Sequence, residues 1–227
     1  MSNTGKLFIF NLKKIDGNPN ISHADNSSIL LKNSDNEIRI LIETFEKFNA
    51  DTQIVEETSK DKVIEKLTKI EKADFARYKY VAAAVLLHHK NENIAPQLLY
   101  FHNEIILAFL KNFTLKNKPK LFLIQACRNN FDIFDSTPMT GNREYFTPTK
   151  MIICYASRYN CSNYQDEYAS RFIEKFCENL QNDGLNLSVQ RIMKNTIRTI
   201  KEETDEKQIP SYLDHFHGDL MLSAFTI

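Results

Sequence analysis

Long apolar runs are missing from this 227-residue chain, and the longest, 81–87, falls far short of the roughly 20 residues a helix needs to cross a bilayer. No apolar N-terminal segment has the form of a secretory signal. An excess of either charge is missing too: 29 Lys and Arg stand against 29 Asp and Glu, so the overall balance advertises neither a nucleic acid nor an anionic membrane as partner. Glycine is scarce, five scattered residues, and no GxGxxG or P-loop offers a phosphate cradle. The four cysteines, Cys127, Cys154, Cys161 and Cys177, form no CxxC pair and no zinc-site spacing with histidine, and His102, His215 and His217 give no metal pattern. The expectation is a soluble protein of a reducing compartment, the cytoplasm or the nucleus and of these the cytoplasm first, with no metal and no membrane or nucleic-acid partner.

What is present reads as one α/β domain. Segment 7–10 is a buried strand, 13–36 a polar surface loop, 37–48 a helix with Ile38, Leu41, Ile42, Phe45 and Phe48 at helical spacing, and 52–55 a short strand. Thr58 or Ser59 caps a second helix carrying Val63, Leu67 and Ile70. The continuous apolar runs 80–87 and 121–124, with helix 105–113 between them, point to a sheet covered on both faces, largely parallel and doubly wound. The stretch 129–149, rich in Asn, Asp, Thr and Pro, is an exposed connection. Beyond it come a strand at 151–155, helices at about 166–179 and 188–202, separated by the turn signal Asn182-Asp183-Gly184, and a strand-like segment after Pro210.

Directly behind run 121–124 stands Gln125-Ala126-Cys127-Arg128, and run 80–87 ends in His88-His89. Two neighbouring parallel strands would bring a cysteine and a histidine to one sheet edge. A free thiol is only a few per cent thiolate at neutral pH, so a nucleophilic cysteine gains from an imidazole that takes its proton and later returns it to the leaving amine.

Residues 118–128, Lys-Pro-Lys-Leu-Phe-Leu-Ile-Gln-Ala-Cys-Arg, resemble the cysteine motif of the caspase family, whose signature is Gln-Ala-Cys-(Arg/Gln/Gly)-Gly; here Asn129 fills the fifth place. Glu43-Thr44-Phe45, Tyr155-Ala156-Ser157, Phe172-Ile173 with Cys177, and Lys207-Gln208-Ile209-Pro210 extend the likeness along most of the chain. The resemblance implies a three-layer sandwich of about six mostly parallel strands with helices on both faces. It also implies a large-subunit-like part at 1–128, a linker at 129–149 and a small-subunit-like part at 150–227, without a prodomain and so closer to executioners.

By the same resemblance His89 and Cys127 form the catalytic dyad, the backbone N–H groups of Lys90 and Cys127 hold the oxyanion, and Lys32, Gln125 and Gln165 line the substrate pocket. No cofactor is implied. The family grips a substrate aspartate with two arginines and a glutamine; only Gln125 is kept, since Leu30-Leu31-Lys32-Asn33-Ser34-Asp35 and Asn163-Tyr164-Gln165 contain no arginine. Lys90 also stands where the family has glycine. The implied activity is a cysteine endopeptidase of altered or weakened aspartate specificity, linked to apoptosis. The alternative is a pseudocaspase that regulates apoptosis by binding another caspase or its partners. Asp132 and Asp135 are candidate processing positions in the linker, and segment 211–222 is the expected strand for a homodimer or heterodimer.

Overall fold

A computed structural model describes residues 3–12, 27–57, 59–86, 101–125, 150–157 and 171–226, with side chains of the first helix described from Ser34 onward. One sheet has the strand order β2-β1-β3-β4-β5-β6, comprising β1 (Gly5–Asn11), β2 (Ala50–Val55), β3 (Tyr80–Leu86), β4 (Lys120–Gln125), β5 (Met151–Tyr155) and β6 (Ser211–His215). The first five strands are mutually parallel and β6 runs antiparallel to β5. β1, β3, β4 and β5 are buried along their whole length, as sandwiched parallel strands must be.

Two apolar cores flank the sheet. On one face Leu7, Ile9, Ala82, Ala84, Leu123 and Cys154 meet α1 (Ser27–Glu46), α4 (Arg171–Asp183) and α5 (Val189–Glu203). On the other Phe8, Phe10, Val85, Phe122 and Ile153 meet α2 (Lys60–Lys72) and α3 (Phe101–Lys111). Ser59 and Ser188 cap α2 and α5 by accepting bonds from the N–H groups of Lys62 and Arg191. Asn112 ties the ends of α2 and α3 together: its amide donates to the carbonyls of Ile70 (2.7 Å) and Ala73 (2.8 Å) while its oxygen accepts from the Thr114 N–H.

Three boundaries correct the sequence reading. Helix α1 starts at Ser27, so the loop expected over 13–36 ends at least ten residues early. From Ser34 onward its inner stripe runs Ser34, Glu37, Ile38, Leu41, Thr44 and Phe45, helical in period but with polar residues among the apolar ones, and the Ser34 hydroxyl donates to the Asn11 side chain at 2.7 Å. Helix α4 continues past Asn179 to Asp183, with Asn179 bonded to Thr196 of α5 and Gln181 to Thr44 of α1. Gly184 closes it, where a Cβ would fall 2.8 Å from the Phe48 ring. The closing strand covers Ser211–His215 and stops short of residue 222, because Asp214 accepts the Phe216 N–H in a turn and residues Leu222–Phe225 form a 3-10 helix.

Lys120 opens β4 completely buried, donating to the Lys118 carbonyl at 2.8 Å. Burial, and then the charge of Lys150, pull its ammonium down to about 8. The unfolded chain therefore holds this proton more tightly than the folded one, so stability falls as pH drops from the ordinary lysine range through 8 and the cost is complete below it. Lys120→Met is expected to raise stability at pH 7 by on the order of 2 kcal/mol and to flatten the dependence between the two values. Urea unfolding at neutral and alkaline pH measures both; an unchanged slope would refute the assignment.

Candidate functional site

Parallel strands deliver their C-terminal ends to one edge, and in open α/β sheets that edge is where ligands are met. Here the edge is formed by Asn11, Leu86, Gln125, Ala156 and Ser157. Leu86 and Gln125 are register partners in the last rung of the β3–β4 pair. Beyond the strands the pairing goes on for one bond on each side: the Leu12 N–H donates to the Leu86 carbonyl and the Ala156 N–H to the Ile124 carbonyl, both at 3.0 Å.

Gln125 is 5% exposed, and its amide oxygen meets no hydrogen-bond donor among the described residues. Side chains alternate along a strand, so Gln125 shares the α1 and α4 face with Leu121 and Leu123. A buried amide oxygen costs roughly 1–3 kcal/mol when left unsatisfied, which makes this atom a reaching point for a donor at the edge. Lys32 lies on α1, on the same face of the sheet as Gln125. His88, His89, Lys90, Cys127, Asp132, Asp135, Cys161 and Gln165 lie outside the described residues, as does the connection expected at 129–149.

The remaining cysteines of the described residues take no part in nucleophilic chemistry. Cys154 and Cys177 are fully buried free thiols; burial drives both away from ionisation, Cys177 up to about 12. Both pack as small apolar groups. Among the described residues no group of three His, Cys, Asp or Glu could hold a metal ion, and no helix is long and apolar enough to cross a membrane.

The edge is braced by polar residues to which the sequence reading gave no role. Asn11 accepts from Ser34 and donates to Glu56 at 2.6 Å, joining α1 to the exits of β1 and β2. Asn36 donates to Glu174 across the α1–α4 contact, and burial together with the nearby Glu37 carboxylate raises the Glu174 pKa. Gln208 donates to the Ala156 carbonyl at 2.9 Å, while its own N–H is held by the Thr204 hydroxyl, fixing the exit of β5. On the opposite face His102 packs edge-on to Tyr155, ring centres 6.0 Å apart. A sequence signal existed for Asn11, a polar residue directly behind the apolar run Leu7 to Phe10. Gln208 was visible only as part of a family-like tetrapeptide.

Gln208→Ala would leave the buried Ala156 carbonyl without that donor, at an expected cost of about 1–3 kcal/mol in unfolding free energy. Hydrogen exchange should speed up first at the Ala156 N–H and the end of the β4–β5 ladder. An effect spread evenly over the protein would show that Gln208 does not specifically hold this edge.

The family model described as Caspase domain matches residues 20–221. No curated protein sequence matches the chain. Among the solved structures, the crystal structure of caspase-1 from Spodoptera frugiperda superposes with a TM-score of 0.71 at 16% identity, covering 97% of this chain and 90% of that one. At that identity the likeness speaks for the fold, and the three-layer arrangement with its mostly parallel six-stranded sheet agrees with it.

Proposed function

This chain belongs to the caspase-domain family, and from that premise we propose that it is a cysteine endopeptidase in which Cys127 attacks the scissile carbonyl and His89 moves the protons. One observation supports this above others: the flush rung Leu86–Gln125. Cys127 follows Gln125 by two positions and His89 follows Leu86 by three, and extended chain covers about 3.3–3.6 Å per residue. Starting from strands about 4.8 Å apart, both side chains have the reach to meet over the β3–β4 edge.

In this reading the Cys127 thiol gives its proton to His89, the thiolate adds to the peptide carbonyl, and the N–H groups of Lys90 and Cys127 receive the oxyanion. His89 then protonates the departing amine, and water releases the acyl group from Cys127. Gln125, with its amide at the same edge, contacts the residue on the acyl side of the cut. Lys32 and Gln165 stand in for arginines in that pocket, and neither offers the planar bidentate grip that fixes a carboxylate. Preference for aspartate is therefore weakened, and the natural substrates are proteins cut during apoptosis.

The same missing arginines, and Lys90 in place of glycine, favour a second reading, a pseudocaspase that acts by pairing with an active caspase. The strand available for pairing is β6, whose outer edge has no strand partner among the described residues. Asp132 and Asp135 remain proposed processing positions, cut by a protease that accepts aspartate.

An unbiased peptide library read by mass spectrometry tests the proposal. The wild-type chain is expected to cleave with a relaxed preference at the acyl-side residue, and Cys127→Ala to lose on the order of 10³-fold or more in kcat/KM. Silence from a folded sample, also after cutting at Asp135, would reject the protease and leave the pairing reading.

A further inference from the structure

The end of the sheet opposite the candidate site carries the starts of β3, β4 and β5, and lysines stand at each of them. Lys79 directly precedes β3, Lys118 precedes β4 by two residues and Lys150 directly precedes β5. The Pro119 carbonyl accepts from the Val81 N–H and the Lys150 carbonyl from the Lys120 N–H, so the entries to these strands lie side by side, about 4.8 Å from one to the next. Beside them α3 ends and the chain passes into the 3-10 turn Phe113–Leu115. Asn112 fixes that turn to the end of α2 through the carbonyls of Ile70, Glu71 and Ala73, so Phe113, 84% exposed, is held out from the surface on a braced backbone. Residues three apart eclipse one another in a 3-10 turn, which puts Lys116 on the same side as Phe113, while Leu115 is turned in and buried.

Charge balances over the whole chain but not at this end. The carboxylates here are already matched. Glu71 pairs with Lys111 at 3.3 Å, and Asp51 holds two cations, Lys6 at 3.0 Å and Arg77 at 3.6 Å. Asp74 accepts the Ala76 N–H and offsets the charge of Lys118, whose ammonium donates to the Phe75 and Ala76 carbonyls. Across β5, Asp214 is engaged by Gln190 and the Phe216 N–H. Lys72, Lys79, Lys116 and Lys150 are exposed and form no ion pair among the described residues. Four uncompensated ammoniums thus accompany a projecting aromatic ring.

We propose that this end of the sheet is a docking surface for an anionic phospholipid membrane, with Phe113 entering the headgroup boundary and Lys72, Lys79, Lys116 and Lys150 set against lipid phosphates. An aromatic residue flanked by lysines is suited to that boundary, where the ring leaves water and the ammoniums meet the negative surface. Single-stranded nucleic acid is held instead by successive aromatic platforms along a groove, and Phe113 is the one exposed aromatic ring among the described residues. A fluid headgroup layer admits a projecting ring without a preformed pocket. From this surface β3 runs for seven residues, about 20 Å at roughly 3.3 Å each, to the edge where the candidate site lies. The docked protein therefore turns that site toward solvent, open to protein substrates.

Co-sedimentation with vesicles of phosphatidylcholine, alone or with about one third phosphatidylserine, tests this. The chain is expected to bind the phosphatidylserine vesicles at least about tenfold more tightly and to lose that preference as salt is added. Lys79→Gln combined with Lys116→Gln should weaken binding by about 30-fold, and Phe113→Ala by about tenfold. All three side chains are exposed, so melting temperatures should stay unchanged. The sequence holds no tryptophan, and Phe113→Trp therefore supplies a single reporter whose emission should shift to the blue on phosphatidylserine vesicles. Equal binding to the two kinds of vesicle, or undiminished binding by the double lysine variant, would overturn the proposal. Binding to poly-glutamate or single-stranded RNA as tight as to the vesicles, with no blue shift on the vesicles, would also overturn it and assign the surface to a soluble polyanion.

Discussion

Parallel pairing of β3 with β4 is the constraint from which the rest of the architecture follows. Two adjacent strands that run the same way must end at the same edge, and the connection between them must cross a face of the sheet. Helix α3 fills that crossover, which covers one face, and α1 with α4 and α5 covers the other. With both faces covered, the strands lose their polar positions and become the uninterrupted runs Val81 to Leu86 and Leu121 to Ile124. Chemistry is thereby excluded from the strand interiors and confined to their ends. Gln125 is the first side chain of β4 able to do anything but pack on that face.

The same constraint explains which parts of the protein were legible in its sequence. Strands buried on both sides announce themselves, and segments 80–87, 121–124 and 151–155 were placed to within a residue or two. The start of α2 was legible because capping is local chemistry: of the two candidates Thr58 and Ser59, Ser59 caps the helix. The part of α1 around Ser34 and the end of α4 were not, since Ser34, Asn179 and Gln181 are polar and take their partners from β1, α5 and α1. A periodicity that counts only apolar residues stops where such a helix begins to meet polar groups.

Much the same holds for the candidate site. Gln125 could be identified from a short motif that carries its own context. Asn11, Glu174 and Gln208 brace the edge through bonds that span the fold; the sequence shows no more of this than a polar residue behind the run Leu7 to Phe10 and a place for Gln208 in a family-like tetrapeptide. Their contribution is positional: they hold the α1–α4 contact and the exits of β1 and β5, the strands that flank β3 and β4.

At the other end of the sheet residues near the two ends of the chain meet. The Thr4 hydroxyl donates to the Phe225 carbonyl, Tyr80 stacks on Phe225 with ring centres 5.2 Å apart, and the Tyr80 hydroxyl reaches the Phe48 carbonyl at 2.9 Å. Residues on either side of the 126–149 connection are thus joined twice over, by the β4–β5 ladder with the α1–α4 packing and again by this clasp. A cut in that connection would alter covalent order without separating any of these surfaces. The two fragments would stay together as a heterodimer whose interface is the hydrophobic core itself.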